Sequence, residues 1–287
     1  MKSSDASFTP FEISRGGHTF LIREARSDSK ELDDIAWGAA GAFLDDIVMN
    51  WFSGVTEIPT SVSSKAGFEL YQFYRAVFKA CILSRGRLIV AENLPERLQK
   101  NEVENKNNIA AAAAWYGPKE DVQIIATLRA GILITLRNYG LRTLLVRRIR
   151  EYTKVSHAAF RRELKPRMLN YDDAWYLQCI FTAKPYEGQG LMSALVREGF
   201  RYALKCSPSG IVPPVVLESS SDKSRPRYQH LGFEIIEPWC HIGIGKVDSR
   251  GCGPTNKKGK ADSKKLDGFK YTCMVHWDCR KAVENNE

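Results

Sequence analysis

Residues 174–204 read AWYLQCIFTAKPYEGQGLMSALVREGFRYAL, and three kinds of segment follow one another within them. Trp175 to Ala183 is an apolar run of strand length, rich in β-branched and aromatic types. Glu187-Gly188-Gln189-Gly190 is a turn. Beyond it Leu191, Met192, Leu195, Val196, Phe200, Ala203 and Leu204 recur at helical spacing. A strand, a glycine turn and a helix start bring free backbone N–H groups and the positive end of a helix to one point. That is an anion cradle, and pyrophosphate is its usual occupant. Glycine suits the turn because a side chain there holds a phosphate away from the backbone.

A second block, Val215 to Phe233, reads VVLESSSDKSRPRYQHLGF: an apolar strand, a Ser-rich exit and then Tyr-x-x-Leu-Gly-Phe. With both blocks in this order the chain resembles the GNAT (Gcn5-related) N-acetyltransferase superfamily. Its pyrophosphate loop has the pattern Arg/Gln-x-x-Gly-x-Gly/Ala, and its next strand and helix end in Tyr-x-x-Leu-Gly-Phe. Ala-Trp-aromatic-Leu before the loop and Leu-Glu-x-Ser after it make the chain similar to the puromycin N-acetyltransferase-like subgroup. The matching blocks cover about a sixth of the chain.

The resemblance implies an α/β fold of GNAT type: a mixed, mostly antiparallel sheet of about seven strands, helices on both faces and a splayed fourth strand. It implies acetyl-CoA as acyl donor, no metal, and direct transfer to an amine in a ternary complex. By the same carry-over Ile180, Phe181 and Thr182 offer backbone groups to pantetheine, and Glu187, Gly188, Gln189, Gly190, Leu191 and Met192 form the pyrophosphate loop. Ser224 is a further cofactor contact, and Tyr228 is the general acid toward the departing sulfur. A phenol of pKa about 10 is protonated at neutral pH and suited to that task; the bland alternative is a packing tyrosine. Glu218, ending an apolar strand, is a candidate base for the ammonium or a structural carboxylate. His230 and His241 are fallback bases.

Four positions depart from the pattern. Glu187 replaces Arg or Gln, which sets a carboxylate beside a pyrophosphate unless its side chain turns away, with Lys184 as a partial offset. Met192 replaces a small residue. Pro185 falls one place late, and Ser224 replaces Asn.

A chain of 287 residues has room for a full core, and we read it as one domain, 1–287. The first twelve residues, MKSSDASFTPFE, lack an apolar signal region, and no window has the length of a membrane span, Ile124 to Leu136 being broken by Arg129. Seven cysteines without a CxxC pair read as free thiols in a reducing cytosol, so a cytoplasmic location is expected. The net charge is +9, and residues 129–167 carry eleven Lys/Arg against Glu151 and Glu163, an excess equal to that of the whole chain. Without interleaved aromatics this basic stretch reads as a solvated or anion-steering face, and nucleic acid is disfavoured.

Taken in order, Phe20 to Ala25 reads as a first strand and Leu32 to Trp51 as one amphipathic helix after a Ser27/Asp28 cap. Asp45 and Asp46 on it either attract a cationic amine or form a polar face. Ala66 to Leu83 reads as a helix, Arg87 to Glu92 as a strand, and Pro95 to Asn108 as a charged hairpin loop. Ile109 to Tyr116, IAAAAAWY, is assigned as a strand against its alanine propensity, because a Gly-Pro stop follows and the family has a strand here. Residues 121–166 are a helical insertion, serving as lid or homodimer contact. Glu234 to Gly245 and Tyr271 to Asp278 close the sheet around a mobile loop at 246–268. The expected acceptor is a small amine-bearing molecule; a protein or peptide amine, or a non-catalytic acyl-CoA sensor or scaffold, is the alternative.

Overall fold

Strand β5 (Trp175–Thr182) is the middle of the sheet, and what flanks it organises everything else. A computed structural model describes residues 8–94, 107–120, 124–131, 144–207, 212–254 and 265–280. Within them eight strands form one sheet in the order β1-β2-β3-β4-β5-β6-β8-β7. These are β1 (Phe11–Arg15), β2 (His18–Glu24), β3 (Arg87–Leu94), β4 (Ile109–Tyr116), β5, β6 (Val215–Ser219), β7 (Glu234–Ile242) and β8 (Phe269–His276). Every pairing is antiparallel except β5 with β6.

The expected first strand is therefore the second. Phe11–Arg15 turns through Gly16 and Gly17, both at positive φ, into β2. A Gly-Gly pair supplies the left-handed backbone that a two-residue hairpin needs. The single helix expected over Leu32–Trp51 is two, α1 (Ser29–Ala42) and α2 (Ile47–Ser53). Asp46 breaks it: its carboxylate accepts from the N–H groups of Val48 and Met49, both at 2.9 Å, and so starts a new helix. Asp28 caps α1 in the same way through Glu31 N–H.

Helix α3 (Lys65–Leu83) packs with α1 over β3, β4 and β5. The described parts of the insertion are α4 (Ile124–Arg129) and α5 (Leu144–Leu164), and α5 lies with α2 against β6, β7 and β8. On the other side of the sheet lie α6 (Leu191–Lys205) and the short α7 (Arg225–His230). The alanine run is a strand, as assigned, and every residue of β4 is buried. Helices cover both of its faces, so small side chains there let the layers close, and packing overrides helix propensity. Gly199 of α6 rests directly on the Trp115 ring of β4, where a Cβ would come within 2.3 Å of the indole.

The residues expected to form a mobile loop begin by folding back. Asn50 Nδ2 donates to Arg250 O at 3.0 Å, and Gly253 N–H to Val55 O at 2.9 Å, so residues 246–254 rest on α2. Residues 255–264 of that loop, 95–106 of the charged hairpin and 132–143 of the insertion lie outside the described residues. Among the described residues no helix is long and apolar enough to cross a membrane.

Candidate active site

Strands β5 and β6 start side by side and then part. They pair only at Trp175↔Val215 and Tyr176↔Val216. From there β5 stays on β4 as far as Ala111↔Thr182, while β6 follows β8 to Ser219↔Thr272. A wedge with an unpaired edge on each strand results. Ala183 N–H donates to Ala110 O at 2.8 Å, toward β4. Strand alternation then turns the backbone groups of Thr182 and Ile180 into the wedge and those of Phe181 toward β4. Of the three residues expected to offer backbone groups, Phe181 therefore turns its own toward β4. Phe181 contributes packing: its ring closes on Gly38 of α1, where a Cβ would lie 2.9 Å from it.

The strand leads through a short 3-10 turn, Lys184–Tyr186, into the glycine loop. Gly188 (φ 82°) and Gly190 (φ 74°) are both left-handed, and Gly190 is the N-cap of α6 with no side chain to offer. The first N–H groups of α6 thus have no partner from the helix or its cap. A Cβ on either glycine would meet nothing within 4 Å. Open space in front of free amides at a helix start fits the pyrophosphate of a coenzyme A.

The loop is held from behind. Tyr186 packs edge-on against His18 and Phe20 of β2 and accepts from Asn93 Nδ2 at 3.3 Å. Gln189 sits under the β1–β2 turn, within 3.1 Å of where a Gly16 Cβ would be. Leu191 is buried and Met192 half-buried against the core. Glu187 turns to the surface, where Lys223 Nζ binds its Oε2 at 2.5 Å. The cation that offsets Glu187 is therefore Lys223, from the turn after β6; exposed Lys184 makes no bond to it. Ser224, one residue on, caps α7 without a side-chain bond to that helix. Its hydroxyl pairs with Ser219 Oγ at 2.9 Å and with Ser221 O at 3.1 Å, fixing the exit of β6.

The two candidate acid–base residues occupy opposite faces of the wedge. Tyr228, on α7, belongs to the core on the α6 side, its ring set edge-on to Phe233. Burial pushes its phenol above the ordinary range, and the thiol of Cys179 on β5 adds to the shift. Tyr228 is therefore a proton holder at any physiological pH. Val216 packs on the α5 side, and alternation along β6 puts Glu218 on that same face. Burial pushes the Glu218 carboxyl up to about 7, against the opposing effect of hydrogen bonds from the Tyr176 and Ser156 hydroxyls. Ser156, fully buried on α5, is paired in turn with Tyr271 Oη at 2.9 Å. One group that keeps its proton and one poised near neutrality is an arrangement for moving protons in both directions.

The two aspartates expected near an amine differ. Asp46 is spent on its cap and on Ser220 Oγ, and Asp45 is exposed. His230 is exposed on α7, and His241 Nε2 is bound to Asp267 O at 2.7 Å. Lys223, Tyr176 and Ser156 have no sequence signal of their own; each acts across a long chain separation.

No family model matches the chain, and no curated protein does. Solved structures do match in fold. A putative arylalkylamine N-acetyltransferase 7 from the yellow fever mosquito Aedes aegypti superposes with a TM-score of 0.50 at 14% identity, covering 96% of this chain and 98% of the other. A polyamine N-acetyltransferase of Drosophila melanogaster gives 0.47 at 12%, covering 89% and 98%. A histone acetyltransferase HPA2-related acetyltransferase of Corynebacterium glutamicum gives 0.47 at 17%, covering 88% and 93%. At such identities a likeness speaks for architecture alone, and the architecture is the GNAT acetyltransferase fold.

Proposed function

We propose that the protein is a GNAT-superfamily N-acetyltransferase that moves an acetyl group from acetyl-CoA to the amine of a small molecule, by direct transfer in a ternary complex. The observation that carries this is the wedge between β5 and β6 opening beside the Gly188–Gly190 cradle. The sequence blocks that resemble the puromycin-type subgroup, and relatives in fold named for arylalkylamine and polyamine acetylation, support the same reading.

Acetyl-CoA supplies an activated thioester. The amides of the glycine loop and of the start of α6 bind its pyrophosphate, and the outward backbone groups of Ile180 and Thr182 align the pantetheine arm. Glu218, as carboxylate, takes the proton from the acceptor's ammonium. The freed amine attacks the thioester carbon, the C–N bond forms and the C–S bond breaks. Tyr228 gives its proton to the departing thiolate, the nitrogen sheds its second proton to solvent as the amide forms, and Tyr228 then regains a proton from solvent while Glu218 releases its own.

The test is thiol release from acetyl-CoA over a panel of small amines and a basic peptide mixture, wild type beside Tyr228→Phe. Turnover on a small amine, reduced about a hundredfold or more in the variant at unchanged coenzyme affinity, is the expected result. Turnover confined to peptides would overturn the acceptor class. Failure to bind coenzyme in a titration calorimeter would overturn the whole reading.

A further inference from the structure

Cys240 on β7 and Cys273 on β8 lie side by side in the interior, with their sulfurs 3.6 Å apart. Both are buried, at 5% and 0% exposure. The pairing of β7 with β8 shifts register between Ile236 and Cys240, so that Cys240 faces Tyr271 while its side chain reaches diagonally to Cys273. Both belong to the core under α5. Cys273 is also the register partner of Glu218 across β6 and β8, and its Sγ lies 4.0 Å from the carbonyl of Ser156. The dithiol thus shares its wall with the carboxylate and with the serine hydroxyl beside it. Neither thiol is used by the reaction above.

We propose that Cys240 and Cys273 are an oxidative modification site, a dithiol that a hydroperoxide converts into a disulfide. Cys240 is the attacking sulfur. It sits on the edge strand of the sheet between half-buried Trp239 and exposed His241, the side from which a small oxidant arrives. Its hydrogen bond with Cys273 holds its pKa below that of an ordinary thiol, and the positive charge of Arg162 on α5 acts in the same direction. Its thiolate attacks one peroxide oxygen. The O–O bond breaks, water or an alcohol leaves with a proton, and Cys240 becomes a sulfenic acid. The sulfur of Cys273 then displaces that hydroxyl. An S–S bond forms, the S–O bond breaks, and water departs with the Cys273 proton. Two thiols are oxidised by two electrons and one peroxide is reduced. Closing the sulfurs to the ~2 Å of a disulfide is a small movement, and the irregular stretch of β7 is placed to absorb it.

The consequence for turnover rests on the role proposed for Glu218. The disulfide removes a thiol beside that carboxylate and pulls on the strand residue paired with it, so the oxidised protein turns over at least several-fold more slowly. The experiment treats the full chain with hydrogen peroxide, quenches, and maps peptides by mass. Expected are a loss of about 2 Da, a Cys240–Cys273 linked peptide, two fewer titratable thiols than the seven of the reduced chain, and reversal by dithiothreitol. Cys273→Ser is expected to stop at a sulfenic acid trapped by dimedone, and Cys240→Ser to form neither product. Absence of the linked peptide, or pairing among other cysteines, would overturn the site. A disulfide with unchanged turnover would overturn its coupling to Glu218. The mapping needs no acyl transfer, so it decides the site even if the proposed activity fails.

Discussion

Glu218 and Tyr228 have their protonation states pushed the same way, upward, yet the outcomes differ. For a phenol the push removes any ionised form near neutrality; for a carboxyl it brings the titration into the working range. This makes Glu218 a measurable liability. Its folded pKa of about 7 lies above the ~4.3 of an unfolded glutamate, so between those values the native state binds the proton more tightly. Stability from this group falls as pH rises through that window. Glu218→Gln is therefore expected to raise the melting temperature at pH 8 and to leave it nearly unchanged at pH 4. A difference independent of pH would remove the argument. Both residues are legible in the sequence because each sits in a short motif. Lys223 is not: its partner Glu187 is 36 residues away, and nothing local marks the pair. Charge proximity along the chain favours Lys184, which is the wrong lysine.

At the scale of elements, the glycine loop and α6 are read correctly because strand, turn and helix each have a local pattern. The misses have a physical cause too. Strand β1 is half exposed and polar, so its alternation is faint, and only the Gly16-Gly17 pair announces the hairpin. The α1–α2 break is written in one capping aspartate inside a continuous apolar stripe, which outweighs it in any periodicity argument. Gly190→Ala separates folding from binding at the loop. A left-handed alanine costs about 1–2 kcal/mol, and the new methyl meets no protein atom. The variant should fold with a modestly lower melting temperature, while its coenzyme dissociation constant rises at least tenfold, about 1.4 kcal/mol. Calorimetric titration showing unaltered affinity would place the pyrophosphate elsewhere.

Across the whole molecule, the two halves of the chain are joined through charge buried in the core. Arg87 of β3 holds Glu198 of α6 by two bonds, at 2.5 and 2.8 Å, and reaches Glu24 at 3.0 Å, with its guanidinium 4.0 Å above the Tyr202 ring. Removing one partner strands the other charge out of water. Glu198→Ala is expected to cost about 3–5 kcal/mol in denaturant unfolding, and a loss below about 1 kcal/mol would mean that the pair is solvated.

The parting of β5 from β6 leaves a row of peptide groups unmatched at the centre of the sheet rather than at its rim. In deuterated solvent the ordinary order of amide protection is then inverted locally. The Ile180 and Thr182 N–H groups, on half-buried residues of a central strand, trade their protons early, while Phe181 between them stays slow. A saturating coenzyme analogue should erase that contrast by completing the ladder. These poorly protected amides thereby become a site-resolved gauge of occupancy, readable without any acceptor in hand.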